Sequence, residues 1–237
     1  MTEHGAYGPP HIVAVCGLAM EARIAAGDGV VVVCSGDRQR LAAQLRDAAT
    51  PATCGILSFG FAGGLALGLL PGTCIIARGV LALGEGFATD AAWTHRMLGL
   101  VPKAMHADLA AADRAIQLPA EKRALHARTG AVAVDMESHF AGRMARERGL
   151  PFAALRVVVD PAEQTVPKAA LAGQRADGSA DVRAVSAALW ARPRDASAVL
   201  RLAFDAWIAS RALLGCRRQL GEGFAFVDVG HHPPDVA

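Results

Sequence analysis

Three acidic residues stand where runs of apolar residues end. Glu21 follows the run His11–Cys16 and Gly17. Glu137 lies in Asp135-Met136-Glu137-Ser138, just past Ala131–Val134, and Asp160 closes Phe152–Val159. Carboxylates gathered in one crevice can give or take a proton and can accept hydrogen bonds from a polar ligand. In open α/β sheets the ligand crevice lies outside the carboxyl ends of the strands. Parallel neighbouring strands would therefore bring all three acids to one place. A single strand-end acid is more commonly a helix cap or a loop charge. Three of them, together with the Gly-rich stretch Gly60-Phe61-Ala62-Gly63-Gly64, exceed what capping explains.

The elements that must position these acids follow from the apolar pattern. His11–Cys16, Val30–Cys34, Gly55–Phe59, Cys74–Val80, Ala131–Val134 and Phe152–Val159 read as short buried strands. Residues 21–26 read as a short helix ending near Gly27. Residues 39–49 and 136–148 read as helices, the latter with Phe140 and Met144 on one face. Gly60–Gly64 reads as a turn. Residues 84–110 are ambiguous, with Gly84-Glu85-Gly86 as a loop and Trp93–Leu98 fitting either helix or strand, and residues 161–180 form a long polar connection. Helices follow over 182–190 and 196–214, the second with Val199, Leu202, Ala203, Ala206, Ala209 and Leu213 on an apolar stripe. Strands and helices alternating at this density predict a single α/β domain, a central mixed sheet flanked by helices. The expected domain spans 11–216, between a loose arm over 1–10 and a loose tail over 217–237.

Composition narrows the function classes. The chain has 237 residues, 53% hydrophobic, with a formal net charge of +2. That balance argues against a strongly basic nucleic-acid binder and against an acidic disordered chain. No apolar run approaches the roughly 20 residues that span a bilayer. No secretory signal is evident, and the five cysteines lack a C-x-x-C spacing, so reduced thiols and a cytoplasmic protein are expected. A mean hydropathy of +0.30 points to an apolar binding surface, an oligomer interface or membrane-surface contact, although Ala richness alone gives the same value. No basic amphipathic helix stands out in the sequence to make a membrane contact.

Four stretches carry a family resemblance. They are Val15-Cys16-Gly17-Leu18-Ala19-Met20-Glu21, Ser58-Phe59-Gly60-Phe61-Ala62-Gly63-Gly64-Leu65, Ala133-Val134-Asp135-Met136-Glu137-Ser138 and Leu155-Arg156-Val157-Val158-Val159-Asp160. In order and spacing they resemble the nucleoside phosphorylase/nucleosidase superfamily. Within it, Gly17–Arg23, Ala120–Leu125 and Thr129–Ser138 are most similar to the hopanoid-associated phosphorylases, which are taken to release adenine from adenosylhopane. Arg192-Pro193 before the last helix fits as well.

The resemblance implies cleavage of a purine N-ribosidic bond. Such a reaction passes through an oxocarbenium-like sugar and leaves negative charge on the base. Asp160 is then the general acid near purine N7, which requires burial to raise its pKa. Glu137 accepts hydrogen bonds from the ribose hydroxyls, and Met136 packs on the ribose face. Glu21 lies near the position of the water-activating acid of the nucleosidases, although one alignment puts Arg23 there. The backbone of Gly60, Ala62 and Gly63 would face the substrate. Ala115 falls where nucleosidases place an aromatic over the base, and Phe61 falls where they have Ser. For a phosphorylase, phosphate would sit on Gly-rich amides, with Ser35-Gly36 and the cations Arg23 or Arg38 beside it. No cofactor is implied beyond phosphate as a co-substrate. The implied partner is an adenine nucleoside, and the superfamily implies a homo-oligomer.

Three other readings compete. Asp135, Glu137 and His139 alternate and would share one face of a strand as metal ligands, yet Met136 onward reads as helix, where such residues diverge. The Gly-rich stretch follows a strand but is not G-x-G-x-x-G, which counts against a dinucleotide site. A non-catalytic nucleoside-binding module would keep Glu137 and have no need of Asp160.

Overall fold

Alternate residues of a strand face opposite ways, and in β1 (His11–Cys16) both sets are apolar. Val13 and Val15 join one core cluster, while Ile12, Ala14 and Cys16 join another on the opposite side of the sheet. The computed structural model describes residues 8–171, 175, 177–179, 181–191 and 193–226. Most of the expected arm, Arg192 and the end of the expected tail, including His231-His232, lie outside the described residues.

The chain continues through α1 (Ala19–Ala25), β2 (Val30–Cys34), α2 (Arg38–Ala48) and β3 (Thr53–Gly64). Next come β4 (Cys74–Ala82), β5 (Glu85–Ala88), α3 (Ala91–Leu100), β6 (Met105–Ala111) and α4 (Pro119–Thr129). The remaining elements are β7 (Ala133–Asp135), α5 (Ser138–Arg148), β8 (Phe152–Asp160), α6 (Lys168–Leu171), α7 (Val182–Ala191) and α8 (Ala196–Leu220). The strands form one mixed sheet, as the sequence predicted. β1 pairs parallel with β2 and β3, and β3 pairs parallel with β8. β7 runs antiparallel to the end of β3, and β4 runs antiparallel to β8. Since β4 also pairs with β6, and β6 with β7, the path β3-β7-β6-β4-β8 closes on itself.

Several expectations are corrected. The Gly-rich stretch is not a turn: β3 runs unbroken to Gly64, and Gly63 and Gly64 pair with Val134 and Ala133. The strand that delivers Glu137 is therefore an antiparallel neighbour of β3, whereas those that deliver Glu21 and Asp160 are parallel ones. The helix expected from Met136 starts at Ser138, because Asp135 Oδ1 accepts the amides of Glu137 (2.9 Å) and Ser138 (2.7 Å) and holds Met136-Glu137 in a turn. The ambiguous 84–110 segment resolves into β5, α3 and β6, and Glu85 and Gly86, expected in a loop, pair with Ala82 and Leu81 of β4.

The expected tail boundary also fails. α8 runs past Arg217 to Leu220 before Gly221 ends it. Residues 221–226 then fold back into the core. Phe224 is fully buried against Phe59, with ring centroids 5.1 Å apart, and its carbonyl accepts from Trp93 Nε1 at 2.8 Å. Phe226 packs edge-on against Trp93.

Candidate active site

β1 and α1 deliver Glu21 into the interior, where it is 2% exposed. Its Oε2 accepts the amides of Gly17 (2.9 Å) and Leu18 (2.8 Å), and its Oε1 accepts the amide of Phe61 (2.7 Å). The carboxylate thus ties the start of α1 to the middle of β3. A Cβ on Gly60 would collide with this carboxylate, so only glycine fits there.

Beside Glu21 lies Arg156 of β8, with no exposed surface. Its Nε is 3.2 Å from Asp135 Oδ2, and its Nη2 is 3.4 Å from Glu137 Oε2. It donates to Ser58 Oγ at 2.5 Å and to the Phe61 carbonyl at 3.3 Å. Ser138 Oγ donates to Asp135 Oδ2 at 2.5 Å and lies 2.9 Å from Ser58 Oγ. Glu137 approaches β1 so closely that a Cβ on Gly17 would lie 2.5 Å from its Oε1. One guanidinium therefore gathers carboxylates from three separate elements.

Asp160 ends β8, four residues beyond Arg156, and pairs with Gly63 of β3. A Cβ on Gly63 would sit 3.2 Å from its Oδ2. Lys122 of α4, fully buried, donates to Asp160 Oδ2 at 2.5 Å, to the Pro161 carbonyl at 2.7 Å and to the Gln164 carbonyl at 3.1 Å. All three ammonium protons are used. Asp205 of α8 is also buried, and its Oδ2 has no hydrogen-bond partner among the described residues.

Burial dominates the electrostatics. It pushes Asp160 up to about 6, against the pull of the Lys122 cation and with a smaller push from the negative charge of Asp205. It pushes Glu137 up to about 8, against Arg156 and with help from Asp135 and Glu21. Glu21 is also raised by burial, opposed by Arg156 and by its three backbone amides. A single cation among three carboxylates leaves a group that retains a proton near neutrality.

The residues expected from the sequence divide into two sets. Glu21, Glu137 and Gly60 meet around Arg156, and Asp160 meets Gly63 across β3. Met136 sits half-buried between Asp135 and Glu137. The Ala62 side chain is buried in the core cluster with Val158. Ala115 lies half-buried in the 112–118 loop, and its carbonyl accepts from Arg114.

The four phosphate candidates do not converge. Arg38 pairs with Asp113 at 3.2 Å. Arg23 is exposed on α1 in an apolar cleft with Val31–Cys34 and Gln44. Ser35 is buried and accepts the Asp37 amide, and the Arg175 carbonyl covers Gly36, 2.6 Å from where a Cβ would stand.

Arg156, Lys122, Ser58 and Ser138 carry no role in the sequence reading. Two had a visible signal. Arg156 is the one charge inside the apolar run Phe152–Val159, and Lys122 is one of three lysines in the chain, four residues after Leu118 and three before Leu125. Asp135 and Glu137, weighed above as metal ligands, both face Arg156 instead. Among the described residues no group of His, Cys, Asp and Glu could hold a metal ion.

The phosphorylase superfamily model matches residues 9–191. The chain belongs to the phosphorylase superfamily. Membership makes it an enzyme of the nucleoside phosphorylase or nucleosidase type. No curated protein matches the sequence. Among solved structures, a 5′-methylthioadenosine/S-adenosylhomocysteine nucleosidase from Helicobacter pylori, bound to butyl-thio-DADMe-Immucillin-A, superposes with a TM-score of 0.62. It is 13% identical, and the match covers 90% of this superfamily member and 99% of that chain. The corresponding nucleosidase from Campylobacter jejuni gives a TM-score of 0.60 at 13% identity, over 88% of this chain and 98% of that one. The futalosine hydrolase of Helicobacter pylori gives 0.56 at 14% identity, over 65% and 88%. At these identities the likeness is one of fold.

Proposed function

We propose that the protein hydrolyses the N-glycosidic bond of an adenine nucleoside, with Asp160 as general acid, Glu137 as the ribose acceptor and Glu21 as the group that takes the proton from water. The observation that carries this reading is the placement of Glu21. Its carboxylate occupies the amides of Gly17, Leu18 and Phe61, the backbone donors that a phosphate would otherwise use. A fixed anion in that cradle repels a second one, and the expected phosphate ligands are dispersed. Water therefore fits as the nucleophile better than phosphate does.

In the reaction the C1′–N9 bond breaks and its electron pair passes to the purine, where N7 takes the Asp160 proton. The ribose hydroxyls donate to Glu137, and these bonds strengthen as positive charge builds on the sugar, most of all in the ionised form of Glu137. Water attacks C1′ and passes a proton to Glu21, whose Oε1 accepts a single backbone amide and keeps a free lone pair. Release of the Glu21 proton to solvent and uptake of one by Asp160 restore both groups.

The substrate favoured is an adenosine with a bulky apolar 5′ group, of which adenosylhopane is the instance that the sequence resemblance names. Met20, directly before Glu21, is 39% exposed and gives the site an apolar edge. The second reading is a nucleosidase acting on methylthioadenosine or S-adenosylhomocysteine, supported by likeness in fold to nucleosidases of that type.

Adenine release from adenosine, methylthioadenosine and a 5′-alkyladenosine, each with and without phosphate, tests both readings. The expected outcome is phosphate-independent release that favours the 5′-alkyl compound, with Asp160→Asn slower by about 10²–10⁴-fold. Preference for methylthioadenosine would select the second reading. A requirement for phosphate would overturn hydrolysis, and tight nucleoside binding without release would make the protein a binding module.

A further inference from the structure

α8 has a second face that the site does not use. Leu200, Phe204, Trp207, Arg211, Leu214 and Arg218 recur at alternating steps of four and three, which places them on one side of the helix. At 1.5 Å per residue the stripe is about 27 Å long. Its apolar members are open to solvent: Leu200 is 71% exposed, Phe204 60% and Trp207 56%. The stripe is internally ordered. Phe204 and Trp207 stack with centroids 5.9 Å apart, and the Arg211 guanidinium lies 5.3 Å from the centre of the Trp207 ring.

The charges on this helix are one-sided. Arg201, Arg211 and Arg218 are exposed, while Asp205, the one acid within α8, is turned inward and buried. A second copy packed on this face would bury Arg211 and Arg218 with no exposed acid of α8 to receive them, at the cost of desolvating both. A surface of lipid phosphates meets the same arginines with opposite charge and takes the aromatic rings at headgroup depth.

We propose that the α8 stripe docks the protein on an anionic bilayer, with Phe204 and Trp207 as the inserted anchors and Arg201, Arg211 and Arg218 on lipid phosphates. The surroundings extend the apolar surface on both sides. A Cβ on Gly72 would touch Ile208 of α8 at 3.1 Å, and the same loop exposes Leu67 and Leu70. On the other flank Ser210 Oγ lies 3.5 Å from Met20 Sδ, at the edge of the site. The docking face therefore adjoins Met20, the residue before Glu21, and an apolar substituent leaving the site over Met20 would enter the lipid. Docking rests on the surface alone and stands whether or not the proposed substrate is correct.

The test is co-sedimentation of the full chain with vesicles of phosphatidylcholine, and of phosphatidylcholine mixed with phosphatidylglycerol. Binding is expected to the mixed vesicles, to fall with added salt and to shift tryptophan emission to the blue. Phe204→Ser/Trp207→Ser should abolish it. Each of Arg211→Gln and Arg218→Gln should weaken it about five-fold. None of these residues touches the site, so adenine release from a soluble nucleoside should be unchanged, which also reports that the variants are folded. Equal binding to both vesicle types, no binding to either, or full binding by Phe204→Ser/Trp207→Ser would overturn the proposal. So would a dimer in solution that Phe204→Ser/Trp207→Ser dissociates and that does not bind vesicles.

Discussion

Lys122 holds its ammonium 2.5 Å from Asp160 Oδ2, with the lysine wholly enclosed and the carboxylate nearly so. A general acid needs its proton, and a cation beside it opposes that. Burial overcomes the cation, leaving the group at about 6 rather than at the usual carboxylate value. Lys122→Met should therefore raise the Asp160 pKa further. The alkaline limb of the kcat/KM profile should move to higher pH, because the acid would stay protonated longer. The Pro161 and Gln164 carbonyls would lose their donor, and stability should fall by about 3 kcal/mol. A pH–rate profile alongside thermal unfolding separates the two effects, since a purely structural role for Lys122 would leave the limb in place.

Asp205 acts on the same group from α8 with the opposite sign. Its negative charge raises the Asp160 pKa. Asp205→Asn should move the alkaline limb to lower pH, opposite to Lys122→Met, and so reduce activity at neutral pH more than at pH 5. An unmoved limb would mean that the two carboxyls do not couple.

Arg156 is the hub for carboxylates delivered from α1, β7 and the start of α5. Arg156→Met would leave Glu21, Asp135 and Glu137 enclosed without a cation, a loss of about 3–5 kcal/mol. The deficit should depend on pH. Carboxyls raised in the folded state bind protons more tightly there than in the unfolded chain, so their stability contribution is full below about 4.3, the unfolded Glu value, and is lost as pH rises. Unfolding midpoints in urea should therefore lie closer to wild type at pH 5 than at pH 8.

Glu137 gives the same sign on a smaller scale. Its pKa of about 8 in the folded protein predicts stability present at low pH and lost as pH rises through about 8. Glu137→Gln removes that dependence, so its unfolding free energy should vary less between pH 5 and pH 9. Its activity should fall mainly through kcat, because the proposed ribose contact would strengthen as the sugar becomes cationic.

The α/β class and the place of the three acids just after apolar runs were legible because such runs are local features. Glu21, Glu137 and Asp160 each follow a run that any buried strand requires. The Gly-rich stretch was legible as special but misread as a turn. Glycine there serves close approach: the carboxylates of Glu21 and Asp160 press on Gly60 and Gly63 while β3 stays extended. The end of the chain was misread for a related reason. Phe224 and Phe226 look like isolated aromatics in a polar segment, and only Phe59 and Trp93, far away in sequence, bury them.

By itself, the sequence determined which side chains are available for chemistry and where β1, β2, β4, β7 and β8 run, because periodicity and local propensity act over a few residues. The tertiary structure decided which charges meet. Arg156 and Lys122 are single cations whose meaning depends on carboxylates 135, 137 and 160, brought to them by an antiparallel β7 and by α4. It also decided that Glu21 fills its own amide cradle, that Arg38 belongs to Asp113, and that a 25-residue helix turns its aromatics outward. Burial sets the electrostatics of this site, and burial is a property of the assembled layers rather than of any one segment.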